Sequence, residues 1–489
     1  MQRPQVSRAA TRIGAQQLCE LLGEWRADGG SAYRALAASV RELVRDGRLS
    51  RTSRLPAERD LADVLAVSRT TVASAYELLR AEGGLISLRG VGSFVVADRV
   101  EPRGAKDPGP IDLSIAALPA PEPWLSRTMA RAVAELPGYT GGHGAFPAGL
   151  PELRVAIAAR YTARGLPTDA EQILVTNGAT GAFTLLVRQF GAPGDRMVVE
   201  TPTHPGVLRS LTRAGIRPVP VRLLEYGWNL GAWREALHAA QPRLACVTPD
   251  FHAPTGLVMQ DEQRRDLVAL ARAAGVTLVT DETMAELSLE PAIPPPPPLA
   301  AHDPADEFGA VITVGSASKA YWGGLRIGWI RAGAQTVRLL AEQRLGLDVS
   351  SPVIDQLVLA RLLGDPDVLA EVLDFQRDRA RARRDALVAL LRRELPAWTF
   401  QVPTGGLALW ARTEGASARA VADAAERHGV RLGAGPHFGV AGGSPDDHVR
   451  LPYTQPPDVL AESVRRLAEA LRSAECATAL AGRDLPMSF

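Results

Sequence analysis

The chain has 489 residues, 46% hydrophobic and 22% charged, with a formal net charge of +1. That balance excludes a mainly disordered, collagenous or coiled-coil protein and leaves room for two to four folding units. No apolar run is long enough for a membrane span, Met1–Ala10 lacks the apolar stretch of a signal peptide, and three distant cysteines offer neither a disulfide framework nor metal spacing. A cytoplasmic protein with no metal site is the expectation.

Residues 1–97 are rich in arginine and carry a net charge of about +4. Tyr33–Asp46 reads as a packed helix through Leu36, Val40, Leu43 and Val44. Pro56 suits the first turn of a second helix, with Glu58 near its positive end and Leu61, Val64 and Leu65 on its inner face. Val67-Ser68 makes a break, and Ser68 caps a third helix with the stripe Val72, Ala75, Tyr76 and Leu79. Gly83-Gly84 ends it. Leu85–Leu88 and Ser93–Val96 then flank Arg89-Gly90-Val91-Gly92 as a hairpin. Three helices and a hairpin make a winged helix-turn-helix, mostly α with a β wing. Its third helix would enter the major groove leading with Ser68, Arg69, Thr70 and Thr71. Periodicity alone fits a plain helical bundle with a solvated arginine face equally well.

Residues 98–111 read as a linker by their proline, glycine and charge. Beyond them, helical patterns alternate with apolar runs at Gln172–Thr176, Arg196–Val199, Leu244–Thr248 and Val276–Thr280. This predicts βαβ units and a mostly parallel sheet over residues 112–346, with an N-terminal arm. Residues 347–489 are helix-rich, with strands expected at Thr399–Val402 and Gly406–Ala411, and read as a smaller α+β domain. Pro294–Pro298 is an extended surface loop.

Only two of the 55 basic residues are lysines, Lys106 and Lys319. Lys319 follows the apolar run Val311–Val314 and two serines, and a glycine-rich stretch leads on to Arg326. A cofactor aldehyde needs an amine, and its phosphate needs hydroxyls and a cation. Lys319 can supply the first; Ser316, Ser318 and Arg326 the second. Thr176-Asn-Gly-Ala-Thr-Gly-Ala182 opens a helix after a strand, a phosphate-binding arrangement. Asp281 ends a strand and can pair with a protonated ring nitrogen. Arg450 can clamp a carboxylate. Each signal alone fits an ordinary loop, cap or surface residue.

Arg54–Val72 followed by Leu85–Val95 closely resembles the GntR family of bacterial transcription regulators. The resemblance implies that Arg59, Arg69 and the wing residues Arg89, Gly90 and Gly92 contact operator DNA. One departure is Ser50-Arg-Thr-Ser-Arg54, where that family has a Pro-Gly turn. Residues 112–475 resemble the fold-type-I aminotransferases, which bind pyridoxal 5′-phosphate (PLP); Gly149–Ile157 and Pro254-Thr-Gly256 add to the match. By this resemblance Lys319 forms the internal aldimine, Asp281 meets the ring nitrogen, and Ala179, Thr180, Ser316, Ser318 and Arg326 surround the phosphate. His204 takes the ring-stacking position and Arg450 grips an amino-acid carboxylate. The fusion of the two is the architecture of the MocR subfamily, whose precedent is a homodimer exchanging domains head to tail. A linker of about 14 residues spans at most about 50 Å, which permits the exchange.

Two departures bear on chemistry. The Asn and Tyr that normally hydrogen-bond the PLP ring hydroxyl are Ala253 and Met284 here. His252 is the nearby polar side chain that could replace them. The expectation is a double-stranded-DNA-binding regulator whose effector is PLP or a PLP–amino acid aldimine, with little or no transamination. The alternatives are a regulator whose large domain is only a dimerisation scaffold, and an active aminotransferase with an accessory DNA-binding domain.

Overall fold

The computed structural model describes residues 13–23, 25–26, 31–45, 49, 53–81, 85–88, 92–95, 110–291, 296–303, 310–440 and 446–481. The chain divides into two compact units, Met1–Gly109 and Pro110–Phe489. The expected linker up to residue 109, Gly83-Gly84, Arg89, Gly90, Pro294 and Pro295 lie outside the described residues.

In the first unit a short helix, Ala15–Leu22, precedes helices Ala32–Arg45, Glu58–Leu65 and Arg69–Ala81. Strands Leu85–Leu88 and Gly92–Val95 pair antiparallel, Leu85 opposite Val95. Leu18, Leu36, Val40, Leu61, Val72, Ala75 and Tyr76 form the core. The Tyr76 hydroxyl donates to the Pro56 carbonyl at 3.1 Å, tying the third helix to the start of the second. Val64, expected on the inner face, is 36% exposed. Ala62 takes its place beside Leu61 and Leu65, and at 100° per residue that turns Val64 to the rim. Ala66, in the left-handed region at φ 51°, ends this helix. Residues 53–55 lie against the wing: Leu55 N–H donates to Ser93 and Val95 N–H to Ser53, both at 2.9 Å.

The second unit is built on a seven-stranded sheet. Its order is Ile173–Thr176, Gly328–Arg331, Val311–Ser316, Thr277–Asp281, Leu244–Val247, Arg196–Thr201 and Arg217–Arg222. Gly328–Arg331 runs antiparallel to both neighbours; the other pairings are parallel. Side chains alternate between two cores. Ile173, Val175, Ala245, Val247 and Leu278 face one; Leu174, Val199, Cys246, Val279 and Ile312 face the other. Burial on both faces is why these strands read as unbroken apolar runs. Arg217–Arg222 carries Pro218 and Pro220, which cannot donate to a ladder and are tolerated on this edge strand.

A four-stranded antiparallel sheet, in the order Thr399–Phe400, Ala408–Arg412, His448–Pro452 and Gly433–Ala434, forms the smaller part of this unit. Helices Ala418–Arg427 and Pro457–Ala481 accompany it, and the 29-residue helix Pro366–Glu394 precedes it. The unit's first strand, Ile111–Asp112, pairs in parallel with Val430–Arg431. Ile111 therefore belongs to this sheet pairing and not to the connecting stretch. No described helix is long and apolar enough to cross a membrane.

Candidate functional site

The carboxyl ends of the parallel strands open on one pocket, as open α/β sheets place their ligands. Ala179, Thr180, His204, Asp281, Ser316, Ser318, Lys319, Arg326 and Arg450 all line it. They come from the carboxyl ends of four strands and from the smaller sheet, so the fold gathers what the sequence scatters.

Lys319 sits in a four-residue helix, Ala317–Ala320, directly after its strand. Its amine donates to the Ala116 carbonyl at 2.7 Å. Burial, the Arg450 charge and the Arg326 charge pull its pKa down to about 8, against the opposing pull of Asp281. A neutral amine is the reactive form toward an aldehyde. Asp281 is held up by burial, countered by hydrogen bonds from Thr283 and by the Lys319 charge. The Thr283 N–H donates to its Oδ1 at 3.0 Å.

Two left-handed residues shape the end of the pocket at which the sequence places a phosphate. Gly178, at φ +74°, opens the helix Gly178–Phe190, and Arg326, at φ 53°, follows a short 3-10 turn. A Cβ on Gly178 would stand 2.9 Å from Arg326 Nη2, and its positive φ is one that residues with side chains rarely adopt, so glycine suits this position. Ser316 Oγ accepts from Ser318 N–H at 3.2 Å. Helix amides, a hydroxyl pair and an arginine form a suitable seat for a dianion.

His204 caps the helix Pro205–Ala214, its Nδ1 accepting from Gly206 N–H at 3.1 Å. Burial and the charges of Lys319, Arg450 and Arg209 push its pKa down to about 3, so the ring is neutral. Arg450 lies over the Phe438 ring at 4.9 Å and donates to the Ser114 carbonyl; its buried Nε has no partner. Burial lowers its pKa to about 10. Three cations and one carboxylate in one pocket, with an orphaned guanidinium nitrogen, fit an anionic ligand.

Ala253 and Met284 also line the pocket and offer no polar group. His252 lines the pocket beside them. Its Nδ1 is 2.9 Å from Thr255 Oγ1 and its Nε2 is 3.3 Å from Glu200 Oε2, in a fully buried cluster with Trp228. The residues fit the phosphate, aldehyde and ring-nitrogen positions of PLP, and leave the ring-hydroxyl side apolar. Sequence reasoning missed Ala116 and Ser114, whose roles run through backbone carbonyls, and Cys246, a core strand residue that also faces the pocket.

On the first unit, Arg59, Ser68, Arg69 and Thr70 are exposed and Thr71 is half-buried. Ser68 Oγ accepts from Thr71 N–H at 3.1 Å and lies 2.8 Å from the Thr71 hydroxyl. The Thr70 hydroxyl lies 3.1 Å from the same Ser68 Oγ, so the three hydroxyls form one cluster at the helix tip beside the exposed Arg69. Gly92 starts the second wing strand; Arg89 and Gly90 are outside the described residues. Arg54 lies against Gly92, where a Cβ would come within 2.7 Å of its Nε.

Residues 139–471 match the family Aminotransferase class I and II, and residues 32–95 match Bacterial regulatory proteins, gntR family. The HTH-type transcriptional regulator YdcR of Escherichia coli is 28% identical over 75% of this chain and 82% of its own. The "Probable rhizopine catabolism regulatory protein MocR" of Rhizobium meliloti is 30% identical over 78% of this chain and 81% of its own. Among solved structures, the α-aminoadipate aminotransferase LysN of Thermus thermophilus, complexed with N-(5′-phosphopyridoxyl)-L-leucine, superposes with a TM-score of 0.67 at 27% identity. That match covers 76% of this chain and 94% of LysN.

Proposed function

The chain belongs to the aminotransferase class I and II family and, with a gntR-family segment ahead of that region, to the MocR-type transcription regulators; on that footing we propose that its second unit holds PLP at Lys319 and uses it, alone or carrying an amino acid, as the effector of DNA binding. The observation that carries this reading is the convergence of Lys319, Asp281, Ser316, Ser318, Arg326 and Arg450 on one pocket.

When bound, PLP supplies an electrophilic aldehyde and an electron-withdrawing ring. Lys319, its pKa drawn down to about 8, presents to the aldehyde an amine with a larger neutral fraction than an ordinary lysine. Asp281 keeps a proton on the ring nitrogen, Arg326 and the two serines hold the phosphate, and His204 offers a neutral flat face for stacking. Arg450 orients an amino acid by its carboxylate. Nothing on the Ala253–Met284 side donates to the ring hydroxyl, so proton control at the reacting atoms is poor, and efficient transamination is not expected. DNA contacts come from Arg59, Ser68, Arg69, Thr70 and Thr71 with the wing, in a homodimer that exchanges domains head to tail.

The apolar hydroxyl side favours one rival, a large domain that serves only for dimerisation. Absorption spectra of full-length protein with PLP, beside Lys319→Ala, separate the two. A band that depends on Lys319 is expected; its absence at saturating PLP would leave the scaffold reading. A regulator also requires that PLP, or PLP with an amino acid, alter affinity for DNA selected by the full-length protein from a random pool.

A further inference from the structure

Arg450 is a buried cation that makes no ion pair among the described residues. Its Nη2 donates to the Ser114 carbonyl and its Nε has no partner. The carboxylate that pulls its pKa back up, Asp112, lies 3.9 Å from Arg431. What steadies the guanidinium is an aromatic ring: Phe438, itself 2% exposed, lies against it at 4.9 Å.

The smaller sheet is arranged around that contact. Arg450 stands on the interior strand His448–Pro452, opposite Trp410 on one side and Gly433 on the other. A Cβ on Gly433 would come within 3.2 Å of the Phe438 ring, so glycine there leaves the ring its place beside Arg450. Trp410 meets Phe438 edge-on, at 5.5 Å and 79°, and His448 stacks on Trp410 in turn, at 5.2 Å and 16°. Asp447 Oδ1, 2.7 Å from His448 Nδ1, braces the outermost ring. The Phe438 carbonyl accepts from Thr203 N–H at 2.6 Å, which ties the same residue to the segment just before His204.

A carboxylate in place of Phe438 would hold Arg450 firmly, but it would also neutralise the cation and compete with any anion entering the pocket. A ring attracts the cation through its quadrupole and leaves the charge uncompensated. Ordering a long side chain beforehand also lowers the entropy lost when a ligand binds.

Resting on the reading that Arg450 receives the carboxylate of an amino acid, we propose that Phe438 is the positioning residue for carboxylate selection: with Trp410 set against it, it holds the guanidinium oriented and uncompensated, and so makes the pocket favour amines that carry a carboxylate over those that do not.

Two reagents of nearly one shape test this in full-length, PLP-loaded protein, whatever the natural effector. Aminooxyacetate and O-ethylhydroxylamine both convert the cofactor aldehyde to an oxime and release the Lys319 amine, and only the first carries a carboxylate. Loss of the Lys319-dependent absorption band gives the rate of each. The parent should favour aminooxyacetate, and Arg450→Ala should erase that preference. Phe438→Leu should cut the preference about fivefold, with the O-ethylhydroxylamine rate within about twofold of the parent. Trp410→Leu, at a half-buried position that tolerates the change more readily, should act in the same direction. Trp410→Phe, which keeps a ring edge, should restore the parental preference. An unchanged preference in both Phe438→Leu and Trp410→Leu would overturn the proposal. So would an equal fall in both rates, the mark of a general packing defect. A parent with no preference would instead remove Arg450 from carboxylate binding, and one with no Lys319-dependent band would remove the cofactor; the proposal rests on both and would go with either.

Discussion

Lys319 shows how much one environment changes one residue. An ordinary lysine is almost wholly protonated at neutral pH; this one, pulled down to about 8 by burial and two arginines, has a substantial neutral fraction there. Only the neutral form attacks an aldehyde. The rate of PLP loading should therefore climb about tenfold per pH unit below 8 and level off above it. Stopped-flow absorbance checks this, and a rate still climbing at pH 10 would show an unperturbed amine. On the other side of the pocket, Ala253→Asn restores a donor to the ring hydroxyl. A hydrogen bond to a charged oxygen is worth about 1.5–3 kcal/mol, so the PLP dissociation constant should fall roughly ten- to hundredfold in a spectral titration. At the reading head, Arg69→Ala should weaken specific binding by about 1–3 kcal/mol in gel-shift titrations; equal affinity would remove Arg69 from the contacts. These side chains were legible because their chemistry is carried by residue type. Ser114 and Ala116 were not: a carbonyl is common to every residue, and only the fold shows which one meets a cation.

The helix that begins at Gly178 illustrates a constraint at the level of an element. Its first residue adopts a left-handed conformation and leaves room for Arg326. Gly178→Ala should strain the backbone by about 1 kcal/mol and push the guanidinium off the phosphate seat. The expected result is a small loss in thermal stability with a much larger loss in PLP affinity; an unchanged affinity would argue against this seat. Elements in the sequence were legible where the period was clean. Arg196–Thr201, Leu244–Val247 and Thr277–Asp281 follow the apolar runs that predicted them, ending within two residues. The edge strand Arg217–Arg222 escaped notice because its two prolines argue locally against a strand, and only its edge position makes them harmless. Gly328–Arg331 escaped because glycine and arginine dilute a four-residue strand buried by both neighbours. Val64 shows the limit of reading a face from spacing: Ala62, small enough to be overlooked, occupies the inner position.

Across the whole molecule, charge is distributed unevenly. The chain is nearly neutral, yet residues 1–97 carry about +4. DNA binding should therefore be local to that unit and fall steeply with salt, as phosphate contacts displace counterions. The slope of log affinity against log salt should drop by about one for each phosphate-contacting arginine removed. The division of the chain was legible from composition, since proline, glycine and charge mark the joint and the alternation of patterns changes across it. The scarcity of lysine has a further consequence. With Lys106 and Lys319 as its only lysines, the chain offers amine-directed chemistry almost nothing to hold. Acylating and reductive reagents have two side chains to find, one of them shut in a pocket. A hydride reductant added to the PLP-loaded protein would write the cofactor permanently onto a single residue. The regulator thus becomes its own site-specific label, readable by mass and by fluorescence, with no substitution introduced.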